Sequence, residues 1–595
     1  MNNKKKYFLD VCQSALGQAW FDKLDTIGAN QALSMAQKYN IPLVLARILT
    51  ARNIDENNVL QYLEPTIKNL MPNPLNFKDM DKAALRISDA IKKRETIAIF
   101  GDYDVDGACS AAILSRFFSF FGLESRIYIP DRIVEGYGPN PSAMKMLIEE
   151  GAQLIITVDC GANSLEAIKA AREAGGDVVI LDHHQMDDIH NEAVALVNPN
   201  RPDDVSAHGH LCAAGVVFIT IAWINKLLRE TKQFKVLPDI LEYLDMVALA
   251  TICDVVPLQG VNRAFVTKGL QVARKLNNYG FAALAQVSHL AEPLNNFHLG
   301  FLFGPRINAG GRIGDPALGA KLLTSSSKEI AYSLAETLNR LNQERQNMEA
   351  DQLVQAESDV AAMTLENQNT RLIIVNHKDW HPGIIGIMAA RLKERYHCPV
   401  FVIASKPDGT AVGSGRSIEG VDLGQLVREA VQAKLLVKGG GHAMAAGITI
   451  KEEKISDFRS WLEKKISDRV GALQMKKCLE IDGIISASGV TKEFVETIQQ
   501  AGPFGSGNTT PIFALPSHKL ISLQVVGNGH LKMIFSNVEG KKINGIAFRA
   551  LQTPLGDFLQ NNINQTLHCA GTLTLNYWRG SVFPQIRIVD VASPY

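Results

Sequence analysis

Residues 96–107 read Thr-Ile-Ala-Ile-Phe-Gly-Asp-Tyr-Asp-Val-Asp-Gly. An apolar run of strand length stops at Gly101, and carboxylates follow at Asp102, Asp104 and Asp106. Similar runs recur at Ile127 to Ile129, Leu154 to Val158, Val178 to Leu181 and Val194 to Val197, separated by segments of helical length. Strands spaced by helices predict a parallel sheet and an α/β fold. Almost every run stops at residues with chemistry to offer: Gly101-Asp102, Pro130-Asp131-Arg132, Asp159, Asp182-His183-His184 and Asn198-Pro199. In open α/β sheets ligands bind outside the carboxyl ends of the strands, so these residues are candidates for one site.

Alternate side chains of extended backbone share a side, which predicts that Asp102, Asp104 and Asp106 converge. Like charges this close resist ionising together unless a cation neutralises them, and a divalent metal is the natural partner. The pattern D-x-D-x-D-G also opens a calcium EF-hand loop. That loop needs Glu at its twelfth position, here Ile113, and a helix before it instead of a strand. Further acidic positions end later runs: Asp159, Asp182-His183-His184, and Asp254 after the apolar Val247 to Cys253. Oxygen-dominated ligation with a single imidazole favours Mn2+ or Mg2+ over zinc, and so many carboxylates call for two ions. Two such ions about 3.5 to 4 Å apart are the usual device for in-line attack by water on phosphorus. Hydrolysis of a phosphodiester or pyrophosphate is the expected reaction class.

The chain has 595 residues, more than one ordinary domain. Its 46% hydrophobic and 21% charged residues exclude a disordered or collagen-like chain. The longest apolar stretch, Leu211 to Ile224, suits a buried helix and not a bilayer span. Asp10, Gln13 and Gln18 interrupt any signal core behind the basic start, so a cytoplasmic protein without membrane insertion is expected. Eight cysteines without a C-x-x-C pair suggest neither a zinc knuckle nor a disulfide framework. Residues 101–260 hold 23 Asp/Glu against 11 Lys/Arg in a chain of zero net charge. An acidic centre in basic surroundings suggests bound cations and an anionic partner.

The first 80 residues read as helical and end at Pro65, Pro72 and Pro74. Ser327 to about Met363 has no Gly or Pro and reads as one long helix, with Ser327 as its N-cap. Roughly 35 residues span about 50 Å, enough to hold two domains apart across a cleft. A second α/β unit follows, with strands at Leu372 to Val375 and Val400 to Ile403. Ser414, Arg416 and His442 there are read as lying in glycine-rich loops, where bare backbone can approach a phosphate and a guanidinium can grip it. Beyond Cys478, turns at Gly527-Asn528-Gly529, Glu539-Gly540 and Arg579-Gly580 separate runs rich in Val, Ile and Phe, as in a small β-barrel. The expected units are 1–80, 81–326, 327–365, 366–470 and 471–595. In the last, Tyr577 and Trp578 beside a turn are the aromatic candidates for stacking on single-stranded bases.

The Asp-Tyr-Asp-Val-Asp-Gly run, the later lone Asp159 and Asp-His-His together resemble the DHH phosphoesterase superfamily. Gly304-Pro305-Arg306 through Arg312, Trp380-His381-Pro382-Gly383, Gly439 to His442 and Gly502-Pro503-Phe504-Gly505 are similar to its bacterial single-strand-specific exonucleases, from about residue 65 onward. This resemblance implies that Asp102 and Asp104 hold one metal, that Asp106, His183 and Asp254 hold the other, and that Asp159 bridges them. His184 would then be a hydrogen-bond donor or general acid at the scissile phosphate. Five carboxylates against two divalent ions leave about −1, and a diester adds another, so cationic groups must meet the phosphate. Arg132 and Arg312 are the candidates, with Arg306 as a further DNA contact. Asp182 is expected to orient the histidine pair.

By the same resemblance the second α/β unit is a DHHA1 substrate-binding domain whose Ser414, Arg416 and His442 secure the strand end, and the barrel is OB-like. The implied activity is metal-dependent removal of nucleotides from the 5′ end of single-stranded DNA, in repair and recombination. A monomer served by single-strand-binding protein and a helicase is the implied setting. Two other readings stand beside it. One is a DHH-type phosphodiesterase of short oligonucleotides or cyclic dinucleotides, which resembles only the two α/β units. The other is a non-catalytic DNA-binding scaffold, which predicts lost metal positions.

Overall fold

The structure is a computed structural model that describes residues 6–132, 134–186, 191–366, 371–470, 478–578 and 580–594, apart from the side chains of 362–366, 467–470 and 578. Five parallel strands form the first sheet: β1 (Ile97–Gly101), β2 (Ser125–Tyr128), β3 (Leu154–Val158), β4 (Asp177–Leu181) and β5 (Ala195–Val197), in the order β2-β1-β3-β4-β5. The runs read as uninterrupted apolar stretches because helices cover both faces. Ile97, Ile99, Ile156 and Val179 face helices α1 (Val105–Phe120) and α2 (Ala213–Thr231). Ala98, Phe100, Ile155 and Val178 face Met144, Leu147 and Ile168 on the other side. Leu211 to Ile224 supplies most of buried α2, and no helix among the described residues is long and apolar enough to cross a membrane. The chain leaves β1 for one edge and enters β3 on the other side, so the strand order reverses between these two. A crevice is left at their carboxyl ends, where Asp102 and Asp159 stand.

The long helix is present as α4 (Lys328–Glu366), 39 residues or about 58 Å. It leads to a mixed sheet of β6 (Ile373–His377), β7 (Val400–Ser405), β8 (Thr410–Arg416), β9 (Lys438–His442) and β10 (Ala445–Lys451), in the order β9-β10-β8-β7-β6. Here the structure corrects the expectation of glycine-rich loops. Ser414 and Arg416 lie in β8 and His442 in β9, both paired with β10. The glycines serve packing: a Cβ on Gly415 would sit 2.6 Å from the Phe401 ring, and one on Gly413 would sit 2.7 Å from Ile448. Ser414 and Arg416, alternating with these glycines, turn to the other face.

Beyond Asp482 a barrel closes from β11 (Phe513–Val526), β12 (His530–Ser536), β13 (Lys542–Ala547), β14 (Thr566–Trp578) and β15 (Ser581–Ala592), with β14 pairing back on β11. The expected helical N-terminal unit does not stand apart from it. Strand Ala19–Asp22 pairs in parallel with Cys478–Ile481, and buried Trp20 donates to Asp590 on β15 at 3.1 Å. Met35, Leu45, Ile48 and Leu49 share one apolar cluster with Phe513, Phe535 and Val591. Arg263 of the first unit locks the junction by donating to the carbonyls of Tyr62, Gln500 and Ala501, with its guanidinium 3.9 Å from the Tyr62 ring.

Removing the barrel alone therefore bares the N-terminal apolar face. A chain ending at Val470 is expected to aggregate or melt well below a 65–470 fragment, from which both partners of that cluster are missing. Gel filtration and thermal melts of the two fragments check this, and equal behaviour would refute it.

Asp245, in the first turn of helix α3 (Leu244–Cys253), is 3% exposed, and burial pushes its carboxyl up to about 6 from 3.8. The folded state thus holds this proton more tightly than the unfolded chain does. The group favours folding most below pH 4, and that contribution is lost as pH rises through 6, a cost of about 3 kcal/mol once ionised. Asp245→Asn is expected to raise the melting temperature at pH 8, with a gain that shrinks toward pH 4.

Candidate metal centre

The acidic turn converges, but not by extended backbone. Asp102 follows β1, Asp104 is the N-cap of α1 and Asp106 lies in its first turn. Asp104 Oδ1 accepts from the Asp106 and Gly107 amides at 2.9 and 3.1 Å. The chain turns so tightly that a Cβ on Gly107 would lie 2.3 Å from the Asp102 carbonyl, so only glycine fits there. Asp106 is anchored from elsewhere: its two oxygens accept from the Ala213 and Ala214 amides, at the N-terminus of α2, at 2.6 and 2.8 Å.

Asp159, one residue past β3, has φ 60, a left-handed conformation that costs a non-glycine residue energy. Its backbone N–H still donates to Leu181, so strand pairing fixes it there. Beyond β4, Asp182 accepts from the His183 and His184 amides and from His184 Nδ1 at 2.8 Å. Burial alone would raise Asp182, yet the His184 hydrogen bond and charge bring it down to about 2. His184, against the pull of burial, is raised to about 9 by the same bond and by the charges of Asp182, Asp102 and Asp104. Asn198 donates to the His184 carbonyl and Asn200 to that of His183, so the residues after β5 hold the pair in place.

Asp254 is at the end of a helix, not of a strand: Val247 to Cys253 belongs to α3, and Asp254 is its C-cap. The apolar run is continuous because α3 is buried on nearly all sides, and periodicity cannot tell such a segment from a buried strand. His183 Nε2 lies 3.2 Å from Asp159, 3.7 Å from Asp106 and 3.8 Å from Asp254. Ligand atoms fall into groups within 4.8 Å of one another: Asp102, Asp104 and Asp159; Asp106, His183 and Asp254; and Asp159 with both histidines. Burial and neighbouring carboxylates push Asp102 and Asp159 well up, and Asp254 up to about 8. Oδ1 of Asp102 and Oδ1 of Asp159 are buried and accept no hydrogen bond. Clustered carboxylates with unpaired buried oxygens fit hard divalent cations.

A basic rim adjoins this acidic floor. Arg312 donates to the Gly383 carbonyl of the second unit at 3.0 Å, and burial, then Arg132, lowers its guanidinium to about 10, with Arg345 and Arg416 adding to the effect. Arg132 stands 5.0 Å from the Tyr103 ring inside the acidic turn. Arg416 Nη1 donates to Ser414 Oγ at 3.1 Å and to the Gly415 carbonyl, and it finds no carboxylate partner among the described residues.

Three family models cover most of the chain: the DHH family, N-terminal domain, over residues 96–251, the DHHA1 domain over 369–468 and the RecJ OB domain over 481–590. The single-stranded-DNA-specific exonuclease RecJ of Salmonella typhimurium is 33% identical over 93% of this chain and 96% of its own. The chain belongs to the RecJ family. RecJ of Bacillus subtilis is also 33% identical, over 94% of this chain and 69% of its own. The crystal structure of Thermus thermophilus RecJ in complex with Mn2+ superposes with TM-score 0.76 at 26% identity, covering 95% of this chain and 78% of that one.

Not every DNA contact expected from the sequence sits by this acidic cluster. Arg306 is engaged in structure, donating to Asn339 on α4 at 3.0 Å and to the Leu302 carbonyl at 2.7 Å. His442 is exposed at the end of β9, beside Ala445, whose other neighbour is Arg416. Tyr577 is exposed on β14, whereas the Trp578 side chain and Arg579 lie outside the described residues. Tyr137 is not among the sequence candidates, yet its hydroxyl is 3.1 Å from His184 Nε2 and its ring meets Tyr103 edge-on. A lone loop tyrosine has no spacing to betray it.

Proposed function

We infer that this chain is a metal-dependent exonuclease that hydrolyses phosphodiester bonds of single-stranded DNA, working from the 5′ end with Mn2+ or Mg2+. The observation that carries this is a pair of three-ligand groups at the switch point of the sheet, in a chain similar over nearly its whole length to single-stranded-DNA-specific exonucleases. We assign Asp102, Asp104 and Asp159 to one ion and Asp106, His183 and Asp254 to the other, with Asp159 serving both. Two ions there would neutralise the carboxylates, activate water and offset charge on the phosphate. His184, oriented by its Nδ1 contact with Asp182, turns Nε2 to serve as a donor for a phosphate oxygen or the leaving group. Arg312 and Arg132 balance the remaining negative charge.

For polarity we look to the second unit. Helix α5 (Ile385–Tyr396) starts with no side-chain cap, and a Cβ on Gly386 in its first turn would lie 3.0 Å from Ser414 Oγ and 3.2 Å from Arg416 Nη2. A helix N-terminus, a hydroxyl and a guanidinium meet there, which suits a terminal phosphate. The barrel supports a polymeric substrate over a dinucleotide, and the complete ligand set argues against an inert scaffold. We place the protein in the cytoplasm as a monomer, fed by single-strand-binding protein and a helicase.

The test is incubation with Mn2+ and end-labelled single- and double-stranded DNA and RNA. Release of mononucleotides from the 5′ end of single-stranded DNA is expected. Cutting of duplex at the same rate, or of cyclic dinucleotides alone, would overturn the assignment.

A further inference from the structure

We propose that Phe301, Phe297, Arg587 and Phe548 form a nucleobase-stacking platform that carries the single strand across the junction between the barrel and the first unit, toward Asp254. The inference rests on the exonuclease reading and adds the path of the strand. Phe297 and Phe301, around the π-helical turn Leu299–Phe303 of the first unit, stack at 4.9 Å with planes 22° apart. The Arg587 guanidinium of β15 lies 5.6 Å from the Phe297 ring and 5.2 Å from that of Phe548, just past β13. Two rings of one unit and one of the other are thus joined by a single cation. His530 meets Phe548 edge-on at 5.2 Å and extends the row.

Domain packing does not account for this arrangement. Phe301 is 68% exposed, Phe548 53% and Phe297 42%, and exposed aromatic surface of this extent is costly unless something covers it. Arg587 makes no ion pair among the described residues; its acidic neighbour Glu292 is engaged by His298 at 2.9 Å. Strand register sets Lys532, Ile546, Arg587 and Thr572 side by side across β12, β13, β15 and β14. Neighbouring Leu531, Met533 and Ile586 point into the core, so this row is on the outer face. Aromatic faces with Arg and Lys between them suit a single strand, whose bases stack while its phosphates meet the cations.

A cleft of 1040 Å3 between the two units is lined by Phe297, Phe301, Arg587 and Tyr577 and extends to Cys253 and Val255, the two chain neighbours of Asp254.

The test measures strand binding with a chelator present, by fluorescence anisotropy. It compares oligothymidylate with an abasic deoxyribose-phosphate strand of equal length. Phe301→Ala is expected to weaken oligothymidylate about tenfold or more and to leave the abasic strand unchanged, because stacking needs a base. Phe301→Trp should keep the affinity of the parent. Equal loss on both strands, or no loss on either, overturns the platform. Phe301 is solvent-facing, so neither change should disturb folding, and unchanged melting temperatures confirm that. Digestion by the parent with manganese is scored separately: its failure would remove the exonuclease reading and leave the binding comparison intact.

Discussion

Asp159→Ala is expected to abolish hydrolysis, by at least about a thousandfold or roughly 4 kcal/mol of barrier. Asp159 belongs to both the Asp102–Asp104 group and the histidine pair, is 2% exposed, and has an oxygen with no hydrogen bond. With the ligand assignment proposed above, losing it would take a shared ligand from both ion positions. It also leaves His183 without its nearest carboxylate, 3.2 Å away. Because φ is 60 at this position, Asp159→Asn is the companion variant: Asn tolerates the left-handed conformation and removes only the charge. Calorimetric titration with Mn2+ distinguishes bridging from simple ligation. Both Asp159 variants should lose two strong sites, whereas Asp104→Asn, which keeps the helix cap, should lose chiefly one. Activity of either Asp159 variant within about tenfold of the parent would sink the bridging assignment.

The parts of this site that were legible in the sequence are those set by short-range rules. Val158 to Asp159 and Leu181 to Asp182 are strand ends because a both-faces-buried strand must be apolar until it reaches the rim, so its first polar residue marks the rim. Asp254 shows the limit of that rule. An apolar run in a buried helix obeys it equally well, and the helix end happens to reach the same rim. Gly413 and Gly415 misled for a related reason. Glycine spacing signals bare backbone, but whether the bareness serves a loop or the Phe401 ring is decided by a neighbouring strand. The docking of residues 19–63 on the barrel lay out of reach entirely. Trp20 meets Asp590 across 570 positions, and no local pattern encodes that. The anchoring of Asp106 by Ala213 and Ala214 is hidden likewise, since backbone amides carry no side-chain signature.

Arg416→Ala is expected to cost about ten- to a hundredfold in binding and cutting of 5′-phosphorylated strands, from roughly 1.5 to 3 kcal/mol for one charged hydrogen-bonding partner. An exonuclease that starts at a terminus needs a fixed point that recognises it, and a terminal phosphate carries more charge than an internal diester. Burial and Arg132 already hold the Arg416 guanidinium below its usual range. A cation that is partly desolvated, crowded by other cations and without a carboxylate gains most from a dianion. The selective readout is the ratio between matched strands with and without the 5′ phosphate, because a change in general folding moves both alike. The parent should prefer the phosphorylated strand, and Arg416→Ala should erase that preference. Arg416→Lys should restore only part of it, since an ammonium keeps the charge but not the two-pronged geometry. Ser414→Ala should have a smaller effect in the same direction, as a neutral donor contributes less than a charged one. If Arg416→Ala loses the same factor on both strands, the guanidinium supports β8 through its bonds to Ser414 and Gly415, and the strand end is recognised elsewhere.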